Sequence, residues 1–439
     1  MKTKFFLSPF IHIFELDKDH YLLMNTYNLS IIRLKKDTWE SLNKYIGSEL
    51  TPPKDVLKVL DELKKREFIY NFPIDRKLMM NILEYTLQRY IWDNPHFVLW
   101  LSVTSRCNLG CPYCYLSKKP GFDMTRENAD IIIEFTKKQL NKLKADTLAV
   151  VYYGGEPLLN FDIIRYLHEN FCAVREEYKI NYYASIITNG ASLSLEIIQE
   201  LNKLSVLHNV VIDIQVTIDG DEHTHNRYRP FSNGSESFHK IYTNFLLLVR
   251  NYKGGSIHLR SNMDEHNLEG IKRLLSKIRR DLDESVSKIS VGFRWIFPSQ
   301  EAVIKHQVPF ALFKNQAESI LDLYEYAKEL GFKIPLSIIV GGPCLILNRN
   351  AYVIDEDLKV YKCPGLLYTD KWYGILNESG EVKIFQPYNL IQFLGDLRKC
   401  YLSCEYGSLC YGGCRVMKGC YKEYLNVFIS SRCIRLFGD

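Results

Sequence analysis

Short apolar runs broken by polar turns open the chain. Phe5-Phe6-Leu7, Ile11-His12-Ile13-Phe14, Tyr21-Leu22-Leu23-Met24 and Ile31-Ile32-Arg33-Leu34 have the length and the branched or aromatic make-up of β-strands. The apolar spacing then lengthens to a helical period over Thr38 to Tyr45, Pro53 to Arg66 and Asp75 to Tyr90. Beyond Asn94-Pro95 the rhythm changes. Apolar runs ending on polar or glycine turns, at Val150-Val151-Tyr152-Tyr153, Ile186-Ile187 and Val211 to Ile218, alternate with helical stretches over Asn128 to Leu143, Ile163 to Glu177 and Leu195 to Leu204. Strands alternating with helices predict an α/β fold with a parallel sheet, and such folds gather ligands where the strands end.

One strand end carries concentrated chemistry. Cys107, Cys111 and Cys114 fall within eight residues, directly after an apolar run, with Pro112-Tyr113 before the third cysteine. Three thiolates are one short of the set that closes a structural zinc site or a fully protein-ligated iron–sulfur cluster, so the triplet leaves one iron for an exchangeable small molecule. The spacing and the aromatic resemble the signature of the radical S-adenosylmethionine (SAM) enzymes. That resemblance implies a [4Fe–4S] cluster whose open iron is chelated by SAM, reductive formation of a 5′-deoxyadenosyl radical, and a partial (β/α)6 barrel over residues 95–305.

Further strand ends fit the same family in order. Val150 to Tyr153 runs into Gly154-Gly155-Glu156-Pro157, whose paired glycines allow close backbone approach and leave amide and carbonyl groups for a ligand. By resemblance this is the loop that binds SAM's amino group, and Thr188-Asn189 ends the next strand. Thr217 and Arg229 correspond to the hydroxyl and guanidinium that hold SAM's ribose and carboxylate; a guanidinium suits a carboxylate because it donates two parallel hydrogen bonds. Arg227 is the alternative to Arg229. No residue is singled out as a catalytic base.

Eight of the twelve cysteines lie in the C-terminal quarter: Cys344, Cys363, Cys400, Cys404, Cys410, Cys414, Cys420 and Cys433. No hydrophobic signal segment precedes Phe5, which predicts a cytoplasmic protein whose thiols stay reduced and bind metal. The order resembles the SPASM extension of radical SAM maturases, here residues 344–439 after a helical bridge over 306–343. Cys404, Cys410 and Cys414, with Gly412-Gly413, carry the resemblance, while Cys400 is displaced by one residue and Leu358 replaces a glycine. The resemblance implies two auxiliary [4Fe–4S] clusters, making three in all. Cys344, Cys363 and Cys414 would hold the inner one, and Cys400, Cys404, Cys410 and Cys433 the outer. Cys420 has three open roles: outer ligand in place of Cys433, fourth inner ligand, or packed thiol. Asn350 stands where related enzymes carry a further inner ligand. Cys172 reads as a buried small hydrophobe.

Residues 1–90, with their strands before helices, resemble the winged-helix peptide-recognition element of ribosomal peptide-modifying systems, which adds a leader strand to a sheet edge. A structural cap and a DNA-binding winged helix are the alternatives. Lys54, Lys58, Lys64 and Lys65 are interrupted by Asp55, Asp61 and Glu62, the pattern of a solvated face rather than a nucleic-acid surface. The chain has 439 residues, 46% hydrophobic, with a net charge of +5 and no apolar run long enough to span a membrane. The expected function is radical modification of a ribosomally made precursor peptide, forming a thioether, carbon–carbon or ether crosslink, with an external one-electron reductant. Anaerobic sulfatase maturation and a non-catalytic iron–sulfur electron-transfer or peptide carrier are the alternatives. Against sulfatase maturation, Pro364 follows Cys363 where those enzymes place an aspartate base.

Overall fold

The computed structural model describes residues 4–116, 119–296, 314–335, 344, 347–389, 404, 406–410, 425, 427–428 and 430. Near the N-terminus, β1 (Phe6–Leu7) foreshadows a small unit built on β2 (Ile11–Glu15), β3 (His20–Asn25) and β4 (Ile31–Lys35). These last three form an antiparallel sheet with β3 central, so among the described residues β2 and β4 are its outer strands. Helices α1 (Lys36–Asn43) and α2 (Lys54–Lys65) bury Trp39, Leu42, Leu60 and Leu63 against Phe5, Leu23 and Phe68. β5 (Ile69–Tyr70) pairs back with β1.

Helix α3 (Arg76–Trp92) starts where the Asp75 side chain accepts from Lys77 N (3.1 Å). It packs Met79, Met80, Leu83, Leu87 and Ile91 against Phe10 and Leu347, tying the N-terminal unit to the C-terminal part of the chain. Arg76 strengthens the tie, donating from Nη2 to the Cys404 carbonyl at 2.6 Å.

The centre is a run of parallel strands: β6 (His96–Thr104), β7 (Thr147–Gly154), β8 (Asn181–Thr188), β9 (Ile212–Thr217), β10 (Ile257–Met263) and β11 (Ile289–Trp295). They lie side by side in chain order, each parallel to the next. Helices α4 (Arg126–Leu143), α5 (Phe161–Tyr178), α6 (Leu195–His208), α7 (Glu222–Tyr228), α8 (Phe238–Asn251), α9 (Leu268–Leu282) and α10 (Lys314–Glu329) connect or follow them. Along β10, Ile257, Leu259, Ser261 and Met263 are buried on the helix side, while His258, Arg260 and Asn262 face the lumen and stay partly exposed. Thr125 and Ser194 cap α4 and α6, and both helices stop at left-handed residues, Lys144 (φ 48°) and Asn209 (φ 49°). The apolar period ends at Leu204, yet α6 runs on to His208, because its last turn exposes Val206 and Leu207 and so carries no core signal.

The sheet does not close on itself. The free side of β6 is taken by β12 (Ala351–Ile354), running parallel, and an antiparallel meander continues through β13 (Lys359–Tyr361), β14 (Gly374–Leu376) and β15 (Val382–Ile384). Residues 351–384 thus extend the same ten-stranded sheet. Asn348 Nδ2 donates to His96 O (3.0 Å) and Asn350 Nδ2 to Asn94 O (2.8 Å), so Asn350 serves the barrel entrance, and its amide is engaged there. Among the described residues no helix is long and apolar enough to cross a membrane.

One buried lysine amine, whose pKa burial lowers to about 7, holds this junction. Lys362 is 3% exposed, and its Nζ donates to the carbonyls of Asn348 (2.7 Å) and Ala351 (2.8 Å). Replacing it strands both acceptors away from water. Lys362→Ala should lower the unfolding free energy by about 2–4 kcal/mol in urea titrations. Unchanged stability would show that the two bonds contribute nothing net.

Candidate functional site

β6 ends at Thr104, and the chain leaves the sheet in a loop that returns beside it: Ser105 N donates to Phe122 O (2.9 Å) and Met124 N to Val103 O (2.9 Å). This loop carries Cys107, Cys111 and Cys114. One flank is bound to the segment after Arg229, with Gly110 N on Pro230 O (2.9 Å) and Ser232 N on Asn108 O (2.9 Å). The other is bound by the end of β7, where Gly155 N donates to Thr104 O (2.8 Å) and Glu156 N to Arg106 O (2.8 Å). A β-carbon on Gly154 would collide with the Thr104 carbonyl, and one on Gly155 with the Arg106 carbonyl. The glycines are needed for this contact between backbones, and the Gly155 amide, available to a ligand on sequence alone, is spent on Thr104.

Glu156 is fully buried and acts as a strut. Its Oε1 accepts from Leu158 N (3.1 Å) and Thr188 Oγ1 (2.6 Å), its Oε2 from Asn189 N (2.7 Å). Burial pushes the carboxyl pKa up and these donors pull it back. Pro157 then opens a single 3-10 turn, Pro157–Asn160. Asn189, held by that strut, reaches the cysteine loop: Nδ2 donates to Asn108 Oδ1 at 2.7 Å and lies 3.9 Å from Cys107 Sγ.

β9 ends at Thr217 and delivers Asp219, a residue that the sequence argument did not single out. Asp219 is fully buried, accepts the Tyr113 hydroxyl on Oδ2 and Asn262 N on Oδ1 (2.7 Å), and lies 3.5 Å from Arg229 Nη1. Arg229 Nη1 donates to Tyr113 Oη at 2.6 Å, and Asn262 Nδ2 reaches the same oxygen at 3.2 Å. Burial raises the Asp219 pKa and the Arg229 charge opposes it. Between the two candidate arginines the placement differs sharply: Arg227 is exposed over the Tyr228 ring, whereas Arg229 is buried. Among the described residues Arg229 Nε has no hydrogen-bond partner. A buried, charged donor left open is costly unless a ligand takes it, and an anion fits. The aromatic inside the cysteine triplet and the Asp219-Gly220 turn were the available hints; Asn262 had none, since it meets Tyr113 only through the fold.

Burial pushes the thiols up, Cys111 to about 11 with Arg229 acting against the rise, and Cys107 in the same direction. Such thiols keep their protons at neutral pH until a metal displaces them. Among the described residues no His, Cys, Asp or Glu group is gathered to hold a single metal ion. A cubane cluster makes a different demand, because each cysteine binds its own iron and the sulfurs need not meet at one point. The triplet on a loop braced from both flanks, beside an open buried guanidinium, fits a cluster with a carboxylate-bearing ligand.

Cys344 and Cys363 pack with Cys114, Tyr115, Tyr153 and Leu116 in one apolar cluster, next to the triplet. Cys404 and Cys410 pack instead against the main core. The eight described cysteines stand as thiols rather than disulfides. Cys400, Cys414, Cys420 and Cys433 lie outside the described residues. Cys172 is buried on α5 with Sγ 3.6 Å from His168 Nε2, and burial pushes it to about 12.

Residues 101–278 match the model of the radical SAM superfamily. The chain is 26% identical over 370 residues to the radical SAM cyclopropyl synthase TigE of Paramaledivibacter caminithermalis, covering 80% of this chain and 70% of that protein. It is 24% identical over 348 residues to the cysteine-type anaerobic sulfatase-maturating enzyme of Clostridium novyi, covering 71% and 86%. With the uncharacterised protein MJ0907 of Methanocaldococcus jannaschii it shares 32% identity over 143 residues, 32% of this chain and 44% of that one, so the match spans less than half of that relative. Native anSMEcpe with bound AdoMet and Cp18Cys peptide shares the fold, with a TM-score of 0.57 at 18% identity over 78% of this chain and 99% of that one. Parallel strands ending at a three-cysteine loop fall in the part of the chain, residues 101–278, that matches the radical SAM superfamily model, so this chain carries a radical SAM domain there.

Proposed function

We propose that this chain modifies a ribosomally made precursor peptide by hydrogen abstraction followed by intramolecular crosslinking. The observation that carries the reading is the open Arg229 Nε, buried beside Cys111 at the end of the parallel strands. Cys107, Cys111 and Cys114 would hold a [4Fe–4S] cluster with one iron left for SAM, and Arg229 and Thr217 would receive SAM's carboxylate and ribose. Bound there, cluster and SAM would supply hydrogen-abstracting radical chemistry.

The chain's own residues orient and shield. Asp219 and the Tyr113 hydroxyl fix the Arg229 guanidinium from two sides, and Glu156 fixes Thr188 and Asn189. Glu156, Thr188, Asn189, Asp219 and Arg229 are buried, and away from bulk water charge–charge contacts are stronger. Cys344 and Cys363, with Cys414, would hold an inner auxiliary cluster; Cys400, Cys404, Cys410 and Cys433 an outer one; Cys420 keeps its three roles. Support for a peptide substrate comes from the sulfatase-maturating relative and from the peptide held by the anSMEcpe structure. A leader strand would dock on the N-terminal sheet at the β2 edge, where Ile13 is 40% exposed.

Sulfatase maturation is the second reading, favoured by the match over 86% of the Clostridium novyi enzyme. Pro364, which opens the short turn Pro364–Leu366 after Cys363, offers no proton acceptor for it. Product mass separates the two: crosslinking removes hydrogen and keeps sulfur, whereas formylglycine made from cysteine loses the sulfur.

Two outcomes test the proposal. Anaerobically reconstituted protein should carry about twelve irons as three cubanes, and alanine at Cys107, Cys111 and Cys114 together should remove about a third of them and abolish 5′-deoxyadenosine formation. Persistent SAM cleavage in that variant would refute the reading. Ile13→Glu should weaken binding of a leader-bearing precursor peptide by about tenfold in fluorescence anisotropy, with peptide-free SAM cleavage unchanged. Equal affinity would move leader recognition away from the β2 edge.

A further inference from the structure

Two guanidiniums in the barrel lumen have no counterion among the described residues. Arg260 on β10 stands in register with Thr217 on β9 and Gly292 on β11, and Arg294 stands in register with Asn262, which contacts Tyr113 of the cysteine loop. Both arginines alternate with residues buried on the helix side, Leu259 and Ser261 on β10 and Phe293 on β11, so both occupy the lumen face. They lie two rungs apart on neighbouring strands, near the strand ends.

Neither arginine makes an ion pair among the described residues. Arg260 Nε donates to Asn262 Oδ1 at 3.1 Å, and Arg294 Nη1 to the Phe293 carbonyl at 3.0 Å. Asp219, near Arg260, is already committed to Tyr113, Asn262 N and Arg229. Asp213 on β9 lies toward the other end of the lumen, its Oδ1 accepting from Ser256 N at 2.8 Å. Burial, and next the Arg294 charge, depresses Arg260 to about 10.

Among the described residues there is room for an anion: a β-carbon built on Gly292, beside Arg260 and two residues before Arg294, would meet none of their heavy atoms within 4 Å. Gly154 and Gly155, by contrast, are packed hard against backbone. Open space between two forked donors accommodates a planar carboxylate.

We infer that Arg260 and Arg294 form a carboxylate subsite that selects an acidic peptide for the radical site above it. The inference rests on the peptide-modifying reading, since in an unmodified peptide the anions are Asp and Glu side chains and the C-terminus. It is separate from the SAM carboxylate, for which Arg229 Nε is open.

The test uses the reconstituted full chain with SAM, under anaerobic conditions, and three probes: an acetylated, amidated glycine pentapeptide with Asp at its centre, its Asn counterpart, and acetyl-pentaglycine with a free C-terminal carboxylate. Dissociation constants come from NMR titration. The Asp peptide should bind about tenfold more tightly than the Asn peptide, and Arg260→Gln or Arg294→Gln should remove that advantage while SAM affinity stays unchanged. Arg260→Lys, which keeps the charge, should retain part of it. A gain with the free C-terminus alone would assign the same subsite to a peptide end rather than a side chain. Equal or undetectable binding of all three peptides overturns the inference, as does a loss of SAM affinity in the variants with peptide preference intact. SAM cleavage by the parent protein is scored in the same mixtures: its absence sinks the radical reading, while the peptide preference still decides for or against the subsite.

Discussion

The arrangement depends on two backbone segments lying closer than any side chain would permit. Gly155 and Glu156 donate to the carbonyls of Thr104 and Arg106, and a β-carbon on either Gly154 or Gly155 would strike those carbonyls. This contact clamps the base of the cysteine loop to the end of β7. It also orients Glu156 inward, where its carboxylate binds Thr188 and the Asn189 amide at the end of β8. Asn189 then returns to the loop through Asn108. Three strand ends and the thiol-bearing loop are therefore mutually constrained by groups that no longer face water.

On the far flank the same logic runs through charge. Asp219, Tyr113 and Arg229 form a buried set in which the carboxylate takes the phenol and attracts the guanidinium, and the guanidinium donates to the phenol. Such a set is stable only when its members are satisfied together. Among the described residues Arg229 Nε is the one group of it left over, and a ligand that accepts from it would complete the set. Tyr113 belongs to the cysteine loop, so the flank that would receive SAM and the loop that would hold iron are one unit.

The C-terminal part of the chain is not an independent neighbour of this unit. Its strand β12 occupies the edge of β6, and Cys344 and Cys363 share an apolar cluster with Cys114. The α3 helix and Arg76 bring the N-terminal unit onto the same segment. A peptide held at the β2 edge and a radical formed at the strand ends would thus be related through packed side chains rather than through a free linker.

The sequence by itself determined the local elements and the chemistry of single loops. Periodicity was enough for the alternation of strand and helix, and cysteine spacing was enough for the triplet, because both are properties of neighbours along the chain. Glu156 and Arg229 were legible as residue types at the right offsets. Their states were not: that Glu156 is a strut, that Arg229 rather than Arg227 is buried, and that Gly155 spends its amide on Thr104 depend on residues far apart in sequence. Asn262, Arg260 and Arg294 had no motif to announce them. Only the tertiary structure decided their part, since it is parallel registry across β9, β10 and β11 that sets these side chains on one face of one lumen and, among the described residues, leaves the space over Gly292 open.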